Sequence, residues 1–268
     1  MSVGRRAVVT AGAGLALALA GAPPARSQGH PRMRTLFLAG DSTAAQKYAD
    51  AAPETGWGMA LPFFLHRGVR VANHAVNGRS TKSFLDEGRL DAILTAIRPG
   101  DLLLVQFGHN DQKVADPSRY TEPWTTYQDN LRVFVEAARS RGALPVLATS
   151  VERRKFDADG AAQRTLGAYP AAMRETARAS DVPLLDVEAL SLALWQRLGP
   201  EATKPYFNWT ETEQDNTHFN PLGAIEVARL VTAELLRTHV LAPRETRRLD
   251  DGIPTDLITW PDAEENRP

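Results

Sequence analysis

Short unbroken apolar runs alternate along the chain with longer segments in which apolar residues return every three or four positions. The two rhythms separate strands from helices. Thr35 to Ala39 is the first run, and it stops abruptly at Gly40-Asp41-Ser42, as a buried strand does when it ends in a tight turn. Gln46 to Trp57 carries Pro53, Gly56 and small polar residues, which predicts a surface loop leading into a helix around Gly58–His66. Gly68 to Asn73 alternates as a second strand, and beyond the Asn77-Gly78 turn Ser80 is placed to cap a helical stretch. Leu90 to Ile97 is amphipathic and is stopped by Arg98-Pro99-Gly100. Asp101 to Phe107 is the most apolar run, of the kind buried on both faces of a parallel sheet, and is predicted to be central.

The second half repeats the alternation. A helix is expected from about Thr125 to Arg141, with Leu131, Phe134, Val135 and Ala138 on one face. Ala143 to Thr149 and Val182 to Asp186 give a fourth and a fifth strand, and helices are expected over Tyr169 to Ala179, on to Leu198, and over Ala224 to Thr238. Glu152 to Arg164 reads as a mobile, solvated loop and Pro200 to Gln214 as a second loop. This order predicts an α/β fold in which right-handed crossovers build a five-stranded parallel sheet between two helix layers. The catalytic domain is expected over 33–240, and the charged, proline-punctuated tail over 241–268 either wraps the surface or is disordered.

Composition adds two constraints. The formal net charge is −1 with no Lys/Arg-rich run, so no basic field exists to hold nucleic acid. There is no cysteine, which removes disulfides, thiolate catalysis and thiolate metal sites. The first residues have their own signature: Arg5-Arg6 precedes an Ala/Gly/Leu-rich stretch to about Ala22, too short and small-residued for a stable membrane span. Residues 1–27 therefore read as a secretory signal, cut between Ala22 and Gln28, whose paired arginines are those of twin-arginine export, and the protein is expected outside the cytoplasm.

In open parallel sheets ligands bind beyond the carboxyl ends of the strands, and the polar clusters fall there. Gly40-Asp41-Ser42 follows the first strand, Asn77-Gly78 the second and Gly108-His109-Asn110-Asp111 the third. Ser42 is a candidate nucleophile, which needs a base aimed by an acid, and Asp215-x-x-His218 offers both within one turn. Attack on an ester creates an oxyanion, for which Ser42 and Gly78 offer backbone N–H groups and Asn110 a side-chain amide.

These blocks, in this order, resemble the SGNH (GDSL-like) hydrolases. His109-Asn110-Asp111-Gln112-Lys113, Arg153-Arg154-Lys155-Phe156-Asp157 and Asp215-Asn216-Thr217-His218-Phe219 look more specifically like the rhamnogalacturonan acetylesterase branch. The resemblance covers about Thr35 to Thr238 and implies a flavodoxin-like three-layer sandwich. It also implies a cofactor-free and metal-free Ser-His-Asp mechanism, and removal of acetyl groups from pectic oligo- or polysaccharide. It carries Ser42 over as nucleophile and oxyanion donor, Gly78 and Asn110 as the other donors, His218 as base and Asp215 as its orienter. Neighbouring family members act on xylan, simple esters and lipids, so other ester substrates are the alternative, and a glycan-binding protein is the non-enzymatic one.

Further candidates for substrate contact are Trp57, Trp124 and Trp209, whose rings could stack on sugars, together with His109 beside the site. Arg153 and Arg154 could meet uronate carboxylates through forked donors. Asp41 and Asp111 are expected to anchor their turns, and His74 to be packed. Nothing in the sequence sets the oligomeric state.

Overall fold

The computed structural model describes residues 33–262, together with Met1 and Gly4. The export signal expected around Arg5-Arg6 and its cleavage region lie outside the described residues. Every described secondary-structure element belongs to the unit spanning residues 32–268.

Five parallel strands form the sheet: β1 (Arg34–Gly40), β2 (Val69–Asn73), β3 (Leu102–Gln106), β4 (Leu144–Ala148) and β5 (Leu184–Leu185), in the order β2-β1-β3-β4-β5. All five predicted strands are present, and β3 is central. Side chains alternate across each strand, so Leu36, Leu38, Leu102, Leu104 and Val146 enter one core, and Phe37, Ala39, Leu103, Val105 and Leu147 the other.

The helices are α1 (Trp57–Ala60), α2 (Thr81–Asp86), α3 (Arg89–Ala96), α4 (Gln128–Ser140), α5 (Tyr169–Ala179), α6 (Val187–Ala202) and α7 (Pro221–Arg237). Trp57, Trp195, Val227 and Val231 of α1, α6 and α7 close the first core, whereas Phe84, Ile93, Phe134 and Met173 of α2 to α5 close the second. This is the expected three-layer sandwich. Ser80 caps α2 in a reciprocal capping box with Ser83, as its position before the helix implied. Among the described residues no helix is long and apolar enough to cross a membrane.

Three expectations need correction. The helix expected around Gly58–His66 is one α-turn continued by a 3₁₀ turn over Leu61–Phe64, because Pro62 supplies no N–H to extend the ladder. The region 200–214 is not simply a loop: Phe207–Trp209 (β6) pairs antiparallel with Gln214–Phe219 (β7), so Asp215 and His218 stand on a strand. The segment 152–164 is not a free solvated loop either. Glu152 is buried and its carboxylate accepts the Thr165 hydroxyl at 2.6 Å, while Phe156 bridges to Ala162.

Over residues 242–262 the chain wraps the domain. Ile253 and Ile258 join the core, Trp260 donates its indole N–H to the Glu54 carbonyl (2.8 Å), and the Pro261 carbonyl accepts from the Ala49 N–H (3.1 Å).

Candidate active site

β1 ends where Asp41 folds the chain back on itself. Its Oδ1 accepts from the Thr43 N–H (2.9 Å) and the Thr43 hydroxyl (2.7 Å), and its carbonyl accepts from the Ala44 and Ala45 N–H groups at 3.1 Å. Ser42 is thereby presented at the carboxyl edge of the sheet with 9% of its surface exposed. Gln106, on the adjoining strand, holds this turn from behind, its amide N–H groups reaching Asp41 Oδ2 (3.3 Å) and Ser150 Oγ (3.1 Å). Burial works to raise the Asp41 pKa, but the His109 imidazole, with Nδ1 3.6 Å away, and the Thr43 donors outweigh it and hold the carboxyl below its ordinary value.

β7 brings the partner groups. Asp215 Oδ1 accepts from the backbone N–H of Thr217 (2.6 Å) and of His218 (3.0 Å), a local turn that aims Oδ2 at His218 Nδ1, 2.6 Å away. The other ring nitrogen, Nε2, lies 2.8 Å from Ser42 Oγ, across 176 residues of sequence. Burial raises the Asp215 pKa, and the hydrogen bond and charge of His218 with the two backbone donors more than reverse this, leaving the group lowered. An ionised Asp215 can only accept, so Nδ1 carries the proton and Nε2 is left to accept from the Ser42 hydroxyl.

The donor candidates cluster on the neighbouring turns. Gly78 sits at φ +77°, a conformation that side chains resist, and follows β2 on one side of Ser42. Asn110 follows β3 on the other side, and its amide donates to the Arg79 carbonyl at 3.0 Å, which joins the two turns. Among the described residues neither the Ser42 N–H nor the Gly78 N–H has a hydrogen-bond partner. Asp111, fully buried, clamps the Asn110 turn to α2 by accepting from the Thr81 N–H (3.0 Å), the Thr81 hydroxyl (2.5 Å) and the Thr121 hydroxyl (3.0 Å). Burial, reinforced by the Asp41 charge, outweighs these donors and pushes its pKa up to about 7.

The structure therefore brings Ser42, His218 and Asp215 into one hydrogen-bonded line, and sets Gly78 and Asn110 on the adjoining turns. Arg153, half-buried, lies next to the Asp215–His218 strand, where the Arg154 N–H donates to the Asn216 carbonyl at 2.8 Å, whereas Trp57 and His109 are turned away from substrate. Trp57 is buried, and its indole N–H donates to Gln106 Oε1 at 3.0 Å, so it supports the sheet edge and faces no sugar. His109 is 3% exposed, with Nε2 on the Val151 carbonyl (2.9 Å) and Nδ1 toward Asp41, so it braces the nucleophile turn and is closed to substrate. Trp209 is half-buried, and the Arg154 guanidinium lies over its ring at 4.4 Å. Trp124 stays exposed on the π-helical turn that opens α4, and His74 is packed against Phe37.

Two contributors were missed. Gln106 had a signal, being the one polar side chain inside the most apolar strand. Lys47 had none: it reads as part of a polar loop, yet it is buried and its ammonium reaches Asn77 Oδ1 (2.6 Å) and Glu54 (2.5 Å), pinning the residue before Gly78.

A three-layer sandwich that gathers a serine, an imidazole and a carboxylate at the carboxyl edge of its sheet has the parts of a serine hydrolase. The chain belongs to the GDSL-like lipase/acylhydrolase family, whose family model matches residues 38–224. The rhamnogalacturonan acetylesterase RhgT of Bacillus subtilis (strain 168) is 46% identical over 205 residues, 73% of this chain and 87% of that protein. A probable rhamnogalacturonan acetylesterase of the same organism, YesY, is 43% identical over 196 residues, covering 73% of this chain and 89% of its own. The crystal structure of B. subtilis YxiM superposes with a TM-score of 0.68 at 30% identity over 77% of this chain, which spans 57% of that longer protein.

Proposed function

We propose that the protein is an exported acetylesterase that removes O-acetyl groups from pectic polysaccharide, rhamnogalacturonan in particular, through an acetyl-Ser42 intermediate. The observation that carries the chemistry is the 2.8 Å contact between Ser42 Oγ and His218 Nε2, with Asp215 behind it. The substrate reading is supported by two relatives, one named a rhamnogalacturonan acetylesterase and one a probable rhamnogalacturonan acetylesterase, each matched over most of its own length.

His218 Nε2 takes the hydroxyl proton as Ser42 Oγ bonds to the acetyl carbonyl carbon, and the ionised Asp215 balances the imidazolium that results. The carbonyl oxygen gains negative charge, which the N–H groups of Ser42 and Gly78 and the Asn110 amide receive without reorganising. His218 returns its proton to the departing sugar oxygen, and the C–O bond breaks. Water, deprotonated by the same nitrogen, then releases acetate and restores Ser42.

Ser42→Ala should lower kcat on an aryl acetate by roughly 10⁴-fold or more and abolish labelling by a fluorophosphonate. Labelling of an unchanged site, or near-wild-type turnover, overturns the assignment. Acetate release from acetylated rhamnogalacturonan should exceed that from acetylated xylan, and the reverse order refutes the substrate. Export is tested by the mass of the protein outside the cytoplasm, which should lack residues up to the Ala22–Gln28 region.

A further inference from the structure

Arg153 is a half-buried cation with no anion beside it. Its neighbour Arg154 spends both amino groups inside the protein, donating to Asn216 Oδ1 (3.0 Å) and to the Pro200 carbonyl, and its guanidinium lies over Trp209 and Phe156, with Nε buried and unpartnered. Arg153 turns the other way. Its Nη1 donates to the Thr165 hydroxyl at 3.3 Å. The Gln112 amide, in the orientation that satisfies its own hydrogen bonds, accepts from Nη1 (2.8 Å) and Nη2 (2.9 Å) and donates to the Thr165 carbonyl (3.1 Å). All these partners are neutral, and among the described residues no carboxylate lies within ion-pair distance of Arg153. Burial pushes the guanidinium pKa below the usual arginine value, against the more distant pull of Asp41, Glu152 and Asp215.

The edge already held decides what is left. Gln112 takes the Nη1–Nη2 edge and Thr165 the outer side of Nη1, so the remaining donors are Nε–H and the second Nη2–H. These two lie side by side in one plane, a fork that matches the two oxygens of a carboxylate. The position is beside the reacting groups. The Arg154 N–H is bonded to the carbonyl of Asn216 (2.8 Å), between Asp215 and His218, and Gln112 follows Asn110 by two residues. Lys113, whose N–H donates to the Asn110 carbonyl (3.1 Å), adds an exposed ammonium on the same rim. Partial desolvation and the charges of Arg119 and Arg153 push that ammonium's pKa down against the opposing pull of Asp116, which is itself paired with Arg119 at 2.5 Å.

The geometry points to an anion subsite beside the triad, in which Arg153, seconded by Lys113, receives the carboxylate of a uronic acid residue in the substrate. The carboxylate of a sugar joined to the acetylated one would dock on the free fork and fix which ester faces Ser42. This rests on the carbohydrate reading above and assigns Arg153 to specificity, with no part in proton transfer.

The test compares acetate release from acetylated rhamnogalacturonan oligosaccharides and from the same oligosaccharides with their carboxyl groups reduced to alcohols. Wild type should show kcat/KM about 10- to 100-fold higher for the acidic form, mostly through KM, as one charged fork is worth. In Arg153→Met the ratio should fall to about 1, and Arg153→Lys, which keeps the charge without the fork, should lie between. Raising salt from about 0.05 M to about 0.5 M should shrink the wild-type ratio, a readout that needs no variant to fold. Equal rates on both forms in wild type, a ratio that Arg153→Met leaves unchanged, or indifference to salt overturns the subsite alone. No acetate from either form, with an aryl acetate still turned over, overturns the carbohydrate reading and the subsite with it.

Discussion

Both oxygens of Asp215 are engaged, and they do different work. Oδ1 holds the local turn through two backbone N–H groups, and Oδ2 alone faces the imidazole. Asp215→Asn can keep the turn but presents an amide N–H to Nδ1, which favours the tautomer that cannot accept from Ser42. We expect kcat to fall by about 10⁴-fold in a variant whose thermal unfolding is little changed, checked by steady-state kinetics beside a melting curve. At this scale much was legible. Gly40-Asp41-Ser42 stands where an apolar run stops, and a carboxylate three residues before a histidine can reach it through a local turn. The role of Trp57 was not legible, because a tryptophan among prolines and glycines looks exposed until a partner for its indole N–H is known, and Gln106 is 49 residues away.

At the scale of elements, the short hairpin is the part that positions the base. β6 is three residues long, and β7 is a mostly polar strand with neither the alternation nor the β-branching by which strands announce themselves. Its pairing is visible only once Phe207 and Phe219 are seen packed together with Trp195. The hairpin is docked on the start of α7 at Gly223, where a Cβ would come within 1.9 Å of the Tyr206 carbonyl oxygen. Gly223→Ala must therefore move the helix or the hairpin. It should cost about 1–3 kcal/mol in urea unfolding and lower kcat in the folded fraction, since His218 moves with β7. Unchanged stability and activity would overturn this tight docking of the hairpin on α7. The charged segment 152–164 was misjudged for a related reason: its charges find partners in distant elements, and pairing of that kind leaves no local trace.

Across the whole molecule, the strand order decides which turns meet. With β1 between β2 and β3, the turns carrying Gly78 and Asn110 flank Ser42, and Asp111 locks the third turn to α2. A carboxyl with its pKa pushed up from 3.8 to about 7 favours folding fully while it is protonated in both states, below about pH 4. That contribution is lost as pH rises through about 7, by up to about 1.4 kcal/mol per pH unit. Asp111→Asn removes the titration, so its stability relative to wild type should rise between pH 4 and pH 7, as urea midpoints would show. A constant difference across that range would mean that the buried group does not titrate there.

By itself the sequence determined the alternation of strands and helices, the parallel sheet and the short blocks at the strand ends, because hydrophobic periodicity and turn chemistry are local and written in neighbouring residues. Tertiary structure alone decided that the hydroxyl of residue 42 and the ring of residue 218 touch, that Trp57 and His109 face inward, and that Arg153 meets neutral partners while Arg154 turns its amino groups to Asn216 and Pro200. Those outcomes depend on which distant groups compete for the same few donors and acceptors in a packed interior, and that competition is settled only when the whole chain has closed.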